Sequence, residues 1–111
     1  IIEESGSYEF PFGVVTVESF ENKAKVCFDS VVIENISFPF VIRTRQLGDC
    51  IETANGDYKD VADVFSSWHI GTSYKDKIPL VQELETAEQN IIAIVGSVYN
   101  FKNWIVRGFY E

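Results

Sequence analysis

Five basic side chains lie between residues 40 and 80, and side chains of this type bind phosphate. Arg43 and Arg45 are separated by one residue. On a β-strand they would share a face, with their guanidinium groups about 7 Å apart along the chain. That spacing suits successive phosphates of a nucleic-acid backbone. The alternative is a solvated strand face, or an internal ion pair between Arg43 and Asp49.

The other three basic residues are lysines. Lys59 falls in the first turn of a predicted helix, where a cation is unfavourable because it opposes the helix dipole. A residue that faces a ligand would show such a local misfit. Lys75 and Lys77 flank Asp76, and both are candidate phosphate contacts. Asp76 would orient one of these lysines or pair with Arg45. A solvated charged turn is the alternative for this segment.

Gly48 and Asp49 indicate a turn, and this turn would position the five basic side chains. Glycine permits a positive φ, and an aspartate after it satisfies turn amides or holds a neighbouring arginine. We therefore favour a turn-shaping role for both residues over direct contact with a ligand.

Three aromatic residues are candidates for stacking on exposed bases. Trp68 belongs to a helical apolar stripe and is interpreted as a core residue. The sequence leaves the roles of Tyr74 and Trp104 open.

The sequence shows no catalytic constellation. His69 is the only histidine, and at a predicted helix end it is interpreted as a cap. Cys27 and Cys50 are the only cysteines, and we interpret them as reduced thiols of a cytosolic protein rather than a disulfide. The sequence has no CxxC or HxxxH zinc spacing and no glycine-rich phosphate loop. We therefore expect no catalytic residue, metal or cofactor in this chain.

The charge balance limits affinity for nucleic acid. The formal net charge is −8, which argues against a general polyanion binder. Residues 40–80 carry five basic and six acidic side chains, so most of the acidity lies outside that stretch.

Strand patterns dominate the chain, because β-branched and aromatic residues are abundant. We predict an α+β fold that is mostly antiparallel and sandwich-like, with about seven or eight strands and one principal helix. The predicted strands cover residues 14–20, 24–28, 31–33, 36–45, 50–53, 80–84, 91–95 and 104–110. The run 91–95 is continuously apolar, as in a strand buried on both faces.

The principal helix is predicted from an apolar stripe at i, i+3, i+4 and i+7, formed by Val61, Val64, Phe65 and Trp68. Asp57 is its predicted N-cap, and Gly71 ends the helix or its immediate extension.

The domain organisation is predicted to be simple, because 111 residues have room for one domain. Residues 1–7 are expected to be a linker end or frayed lead-in, and residues 8–111 a single domain. The chain begins at Ile1 without Met, so we expect a fragment of a longer protein. No stretch approaches membrane-spanning length.

Short signatures follow one another across the second half of the chain. Residues 43–49 read Arg-x-Arg-x-x-Gly-Asp, a Lys-bearing helical segment ending in an aromatic follows, and residues 75–80 read Lys-Asp-Lys-Ile-Pro-Leu. In this order, and extending to Gly96, they resemble the C-terminal domain of tRNA(Ile)-lysidine synthase. One feature departs from the family: Asp60 and Asp63 lie on the helix face that tends to be basic there.

The resemblance implies a non-catalytic tRNA-binding domain of a cytoplasmic, ATP-dependent ligase. The parent enzyme joins lysine to the wobble cytidine of a minor isoleucine tRNA, and its C-terminal domain touches the acceptor stem. The implied fold is shared with a domain of phenylalanyl-tRNA synthetase. ATP and magnesium belong to the catalytic domain, whose Ser-Gly-Gly-x-Asp-Ser loop is not in this sequence. The implied tRNA contacts are Arg43, Arg45, Lys59, Lys75 and Lys77, with Gly48 and Asp49 shaping the turn.

The alternative is a structural or protein-interaction domain that makes little contact with RNA. It would brace other domains of the same chain or a homodimer, and the net charge and acidic helix face favour it. Steep salt dependence of tRNA binding would count against it. An independent small-molecule enzyme is a third hypothesis, and it requires a pocket that holds His69 beside a carboxylate.

Overall fold

The structure is a computed structural model and describes residues 1–28, 31–84 and 90–106. These ranges contain ten strands in two sheets. The first sheet is antiparallel, with its strands in chain order: β1 (Gly6–Phe10), β2 (Gly13–Phe20), β3 (Lys23–Cys27) and β4 (Val32–Ser37). Glu21 and Asn22 form the two-residue turn between β2 and β3. Both have a positive φ, of 49° and 66°, as a tight hairpin turn of type I′ requires.

The second sheet has strand order β5-β8-β9-β6-β7, and β10 also pairs with β9. Its strands are β5 (Phe40–Arg43), β6 (Cys50–Glu52), β7 (Tyr58–Asp60), β8 (Leu80–Glu83), β9 (Ile91–Val95) and β10 (Asn103–Ile105). The pairing of β6 with β9 is parallel, and the other pairings are antiparallel. The mixed topology brings β5 and β8 together, and these two strands support the candidate site.

The second sheet is covered on both faces. Phe40, Val81 and Val95 on one face belong to the same buried cluster as Val15 and Val26 of the first sheet. On the other face, a second buried cluster joins the sheet to a helix through Ile51, Leu80, Ile94, Val61, Val64 and Phe65. All five residues of β9 are buried, as expected of a strand between two packed layers.

The principal helix, α1 (Val61–Ser67), buries the predicted apolar stripe but begins later than its predicted cap. Asp60 is the N-cap, and Lys59 lies on β7 instead of in the first helical turn. The predicted cap at Asp57 is therefore wrong, because the backbone carbonyl of Asp57 accepts a hydrogen bond from Thr53 N–H at 2.7 Å in the preceding turn.

The end of α1 also differs from the prediction. His69 has a φ of 57°, and the amides of His69 and Ile70 donate to the carbonyls of Ser66 and Phe65, both at 3.1 Å. This pattern is a Schellman motif with histidine at the position that glycine usually occupies. Gly71 does not end α1. It is the N-cap of the short helix α2 (Thr72–Lys75).

The α+β prediction is confirmed, with ten strands in the described residues instead of seven or eight. β1 and the three-residue β7 were not predicted, and the predicted strand 36–45 is divided at Phe38-Pro39, where the chain passes from β4 to β5. A 3-10 helix, Gly96–Tyr99, follows β9. The predicted strand 104–110 is described only as far as residue 106.

Residues 1–7 differ from the frayed lead-in that the sequence predicts. Ile2 is buried, and it exchanges backbone hydrogen bonds of 2.6 and 3.0 Å with Phe40. Gly6 and Ser7 belong to β1. The start of the chain is therefore packed against β5. Across the described ranges, no helix combines the length and the apolar character that crossing a membrane requires.

Candidate nucleic-acid interface

A tight turn over residues 46–49 follows β5. The Asp49 amide donates to the Gln46 carbonyl at 3.2 Å, and the Gln46 amide donates to Asp49 Oδ2 at 2.6 Å. Gly48 has a φ of 88°, which suits glycine at the third position of such a turn. The Asp49 carbonyl accepts from the amide of Val61 at 2.9 Å, so the turn is tied to the start of α1.

Arg43 is held by internal partners. Nη1 and Nη2 donate to Asp49 Oδ2 and Oδ1 at 2.8 and 2.9 Å. Nη1 also donates to the Thr44 carbonyl, and Nε donates to Gln82 Oε1, both at 3.0 Å. The Arg43 and Asp49 side chains are only 16% and 11% exposed. Four of the five guanidinium N–H groups are therefore used within the protein. The structure thus contains the internal Arg43–Asp49 ion pair that the sequence offered as the alternative to phosphate binding.

The ion pair perturbs the carboxylate as well. Burial alone would raise the pKa of Asp49, but hydrogen bonds from Arg43 and from the Gln46 amide hold that pKa below its usual value. Asp49 is therefore a charged, fully engaged anchor of the turn at neutral pH.

Arg45 lies two residues beyond Arg43, but it has left the strand. β5 ends at Arg43, so the expectation of two arginines on one strand face is wrong. Instead, Arg45 Nε donates to Asp76 Oδ1 at 3.1 Å. This ion pair joins the segment after β5 to the turn after α2, and Asp76 remains 76% exposed.

The Arg45–Asp76 pair places Arg45 beside a turn that carries two lysines. Lys75, the last residue of α2, and Lys77 flank Asp76 in the chain. Lys77 is exposed, with Nζ 5.7 Å from the centre of the Tyr74 ring, at the outer range of a cation–π contact. We refer to Arg45, Lys75 and Lys77 as the basic cluster.

A cleft of about 430 Å³ opens beside the basic cluster. Arg45 and Asp76 form part of its wall, the turn over residues 46–49 forms another part, and Asp60, Val61 and Ala62 complete it. We call this the turn cleft. Arg45 is its only cation among the lining residues, and Asp49 and Asp76 are both paired with arginines. The arrangement is suited to a few phosphate contacts at its edge rather than to a deep anionic ligand.

Lys59 is separate from this arrangement. It is opposite Ile51 in the register of β6 and β7, and strand alternation places it on the other face of β7 from Asp60. It is not among the residues that line the turn cleft. The structure thus groups Arg45, Lys75 and Lys77, uses Arg43 as an internal support and places Lys59 elsewhere.

The three candidate stacking residues differ in exposure. Trp68 is half-buried, with its ring centre 6.5 Å from both Phe65 and Trp104. Trp104 Nε1 donates to the Glu52 carbonyl at 3.1 Å. Tyr74 is 40% exposed and contacts the rings of Tyr99 and Phe101 at 5.5 and 5.4 Å. Of the three, Tyr74 is therefore the most available to a ligand.

The sequence analysis missed aromatic residues near Tyr74. Phe12 approaches Tyr99 edge-on, with ring centres 6.5 Å apart, although the two residues are far apart in the chain. Phe12 belongs to the local sequence Phe10-Pro11-Phe12, whose pattern predicts only a turn or the start of an edge strand.

In the described part of the chain, no set of three or more His, Cys, Asp or Glu side chains is placed to hold a metal. His69 is exposed at the end of α1. Cys27 and Cys50 are free thiols, and a hydrogen bond of 3.2 Å from Cys50 Sγ to Asp60 Oδ1 raises the pKa of that thiol.

Comparison with known proteins finds relatives that are all tRNA(Ile)-lysidine synthases. A tRNA(Ile)-lysidine synthase from Treponema denticola is 34% identical over 70 residues, which is 63% of this chain and 14% of that protein. Synthases from two strains of Treponema pallidum are 29% identical over 104 residues, covering 92% of this chain and 21% of each protein. The chain is homologous to part of tRNA(Ile)-lysidine synthase.

The resemblance to tRNA(Ile)-lysidine synthase that was drawn from the motifs is thereby confirmed. The chain spans about one-seventh to one-fifth of the length of these curated relatives, consistent with one C-terminal domain of a larger synthase. No protein-family model matches the chain, and no solved structure matches it.

Proposed function

We propose that this chain is the non-catalytic C-terminal domain of an ATP-dependent tRNA(Ile)-lysidine synthase. It contacts the acceptor stem of the tRNA, while the catalytic domain joins lysine to the wobble cytidine. The observation that carries the proposal is the Arg45–Asp76 ion pair, which brings Arg45 to the Lys75-Asp76-Lys77 segment, in a chain similar to these synthases.

The basic cluster provides the direct contacts in this proposal. Arg45 uses Nε for Asp76, and a guanidinium carries four more N–H groups that suit phosphate oxygens. Lys75 and Lys77 add two point charges on the same turn. Arg43 acts through Asp49 by fixing the turn from which Arg45 extends, and Lys59 makes a separate, peripheral contact.

The expected affinity of the isolated domain is modest. Three phosphate contacts predict a slope of about −2 to −3 in a plot of log affinity against log salt. The net charge of −8 opposes binding at longer range. Such a domain selects the substrate when the catalytic domain holds the same tRNA, because the second contact is then intramolecular.

In the described residues, the glycines with a positive φ do not form a phosphate-binding loop. The glycines with positive φ lie in separate places (Gly6, Gly13, Gly48 and Gly56), and none belongs to a glycine-rich loop leading into a helix. We therefore assign ATP and magnesium to the catalytic domain of the parent protein, in the cytoplasm.

An NMR titration with a blunt-ended acceptor-stem minihelix at low and moderate salt tests the proposal. We expect shifts at Arg45, Lys75 and Lys77 that weaken with salt and diminish in Arg45→Ala. Lys23→Ala is the matched control, since Lys23 is an exposed lysine of β3 on the other sheet. Unchanged spectra at high RNA concentration contradict the proposal.

The second candidate function is a structural domain that braces the parent enzyme or its dimer. The engagement of Arg43 by Asp49, Thr44 and Gln82 favours it, because this cation is not offered to a ligand. A structural domain predicts NMR spectra that do not change when RNA is added. If it braces a dimer of the parent enzyme, its sedimentation coefficient should depend on protein concentration.

A further inference from the structure

A second cleft, of about 610 Å³, lies beside the turn cleft. Its walls include the rings of Phe10, Phe12 and Tyr99, and Lys77 and Asp76 also line it. Asp76 lines both clefts, so the two adjoin at the Arg45–Asp76 ion pair. We call the second one the aromatic cleft.

The rings are held in a connected series. Phe10 stacks on Phe12 with ring centres 5.3 Å apart and planes inclined by 10°. Phe12 meets Tyr99 edge-on, and Tyr99 meets Tyr74 at 5.5 Å. The series therefore runs from the β1–β2 hairpin to α2, where Lys77 approaches the Tyr74 ring. Packing between distant segments makes this a formed surface and not a chance exposure of single rings.

Flat rings beside a cation suit a ligand that is planar at one end and anionic at the other. A nucleobase stacks on aromatic rings, and its phosphate pairs with a lysine. The Asp76 carboxylate is an acceptor for an exocyclic amino group, which adenine and cytosine carry. The volume lies within the range of small-molecule sites.

We propose that the aromatic cleft binds an unpaired nucleotide adjoining the paired stem, with its base against the rings and its phosphate at Lys77. This inference rests on the proposed function, because the paired stem would occupy the basic cluster, which shares Lys77 with the aromatic cleft. Charge favours this occupant over an apolar protein segment, since an apolar segment would cover the polar ends of Lys77 and Asp76 at the wall of the cleft.

The test compares two minihelices with the same paired stem, one blunt-ended and one with a single-stranded 3′ overhang containing 2-aminopurine. Binding to the 111-residue chain is measured by fluorescence anisotropy, and stacking by the change in 2-aminopurine emission. We expect the overhang to tighten binding about tenfold and to alter the emission.

Two variants locate the effect. Tyr99→Leu removes one ring of the cleft, and Lys77→Gln changes an exposed side chain without touching the core. Both are expected to lose most of the gain from the overhang, and Lys23→Gln, outside both clefts, is expected to keep it. If the overhang still tightens binding to both Lys77→Gln and Tyr99→Leu, the overhang binds outside the aromatic cleft and the inference is wrong.

The remaining outcomes separate the inference from the proposed function. Equal binding of both minihelices overturns the inference alone, and leaves the aromatic cleft to an apolar segment of a partner. Failure of both minihelices to bind overturns the proposed function and the inference with it.

Discussion

Arg43 and Asp49 form a two-point ion pair that joins the end of β5 to the turn over residues 46–49. The pair is mostly shielded from solvent, and the same carboxylate also accepts from the Gln46 amide. The conformation of the segment carrying Arg45 therefore depends on two residues whose charges are already paired with each other.

Asp49→Asn is expected to lower the free energy of unfolding by about 2 kcal/mol, because it leaves a shielded guanidinium without its anion. Urea unfolding followed by tryptophan fluorescence measures the change. Asp57→Asn, at an exposed position of a polar turn, is the control and is expected to stay within about 0.5 kcal/mol of the unchanged protein. Equal effects of the two substitutions would show that the ion pair adds no stability.

The stability from Asp49 is expected to depend on pH in the acid range. Because the folded state lowers the pKa of Asp49 from its model-peptide value of 3.8, the stabilisation is fully present above that value. It is lost as the pH falls through the lower folded pKa. The difference in unfolding free energy between the unchanged protein and Asp49→Asn should therefore be constant above the model-peptide value and should shrink as the pH is lowered below it. A difference that stays constant with pH would contradict this linkage.

Gly48→Ala is expected to destabilise the protein by about 1 to 2 kcal/mol. An added Cβ has no atom within 4 Å, so the cost comes from the φ of 88° and not from a clash. Gly71→Ala is a matched control, since Gly71 has a φ of −68° and the same open surroundings. It should change stability by about 0.5 kcal/mol or less. Thermal unfolding of both variants gives the comparison, and equal losses would remove the backbone explanation.

Asp76→Asn is expected to strengthen binding to the blunt-ended minihelix by about two- to fivefold, since it removes the anion that competes with phosphate for Arg45. The salt dependence should become steeper. Anisotropy at two salt concentrations measures both effects. Asp63→Asn removes the same charge from α1 and should change affinity less. Weaker binding by Asp76→Asn would indicate that Asp76 holds Arg45 in its binding position.

Local sequence patterns predicted those parts of the fold that depend on one segment. β9 coincides with the predicted run 91–95, because continuous apolar character is unambiguous. β7 was not predicted because the segment Tyr58-Lys59-Asp60 is short and polar. The segment is a strand only because it pairs with β6. The start of α1 was predicted wrongly, because Asp57 follows a strong turn signal whereas the N-cap is Asp60, after the short strand β7.

The candidate site was predictable only in part. The residue types and the option of an Arg45–Asp76 pair follow from charge order, and the structure contains that pair. Two contacts could be seen only in the structure. They are the pairing of Arg43 with Asp49 and the approach of Phe12 to Tyr99. The first depends on the position of Arg43 beside Gln82 of β8, and the second on packing between segments distant in the chain, neither of which periodicity reports.

The Arg45–Asp76 ion pair closes a loop of the chain that contains β6, β7 and both α-helices. A ligand at the basic cluster would therefore hold both ends of that loop, and binding and folding of the loop are thermodynamically linked. RNA at ten times its dissociation constant would stabilise the folded domain by about 1.4 kcal/mol. Amides of α2 and of the turn over residues 46–49 would then exchange with solvent more slowly, so substrate binding itself would act as a clamp on this half of the domain.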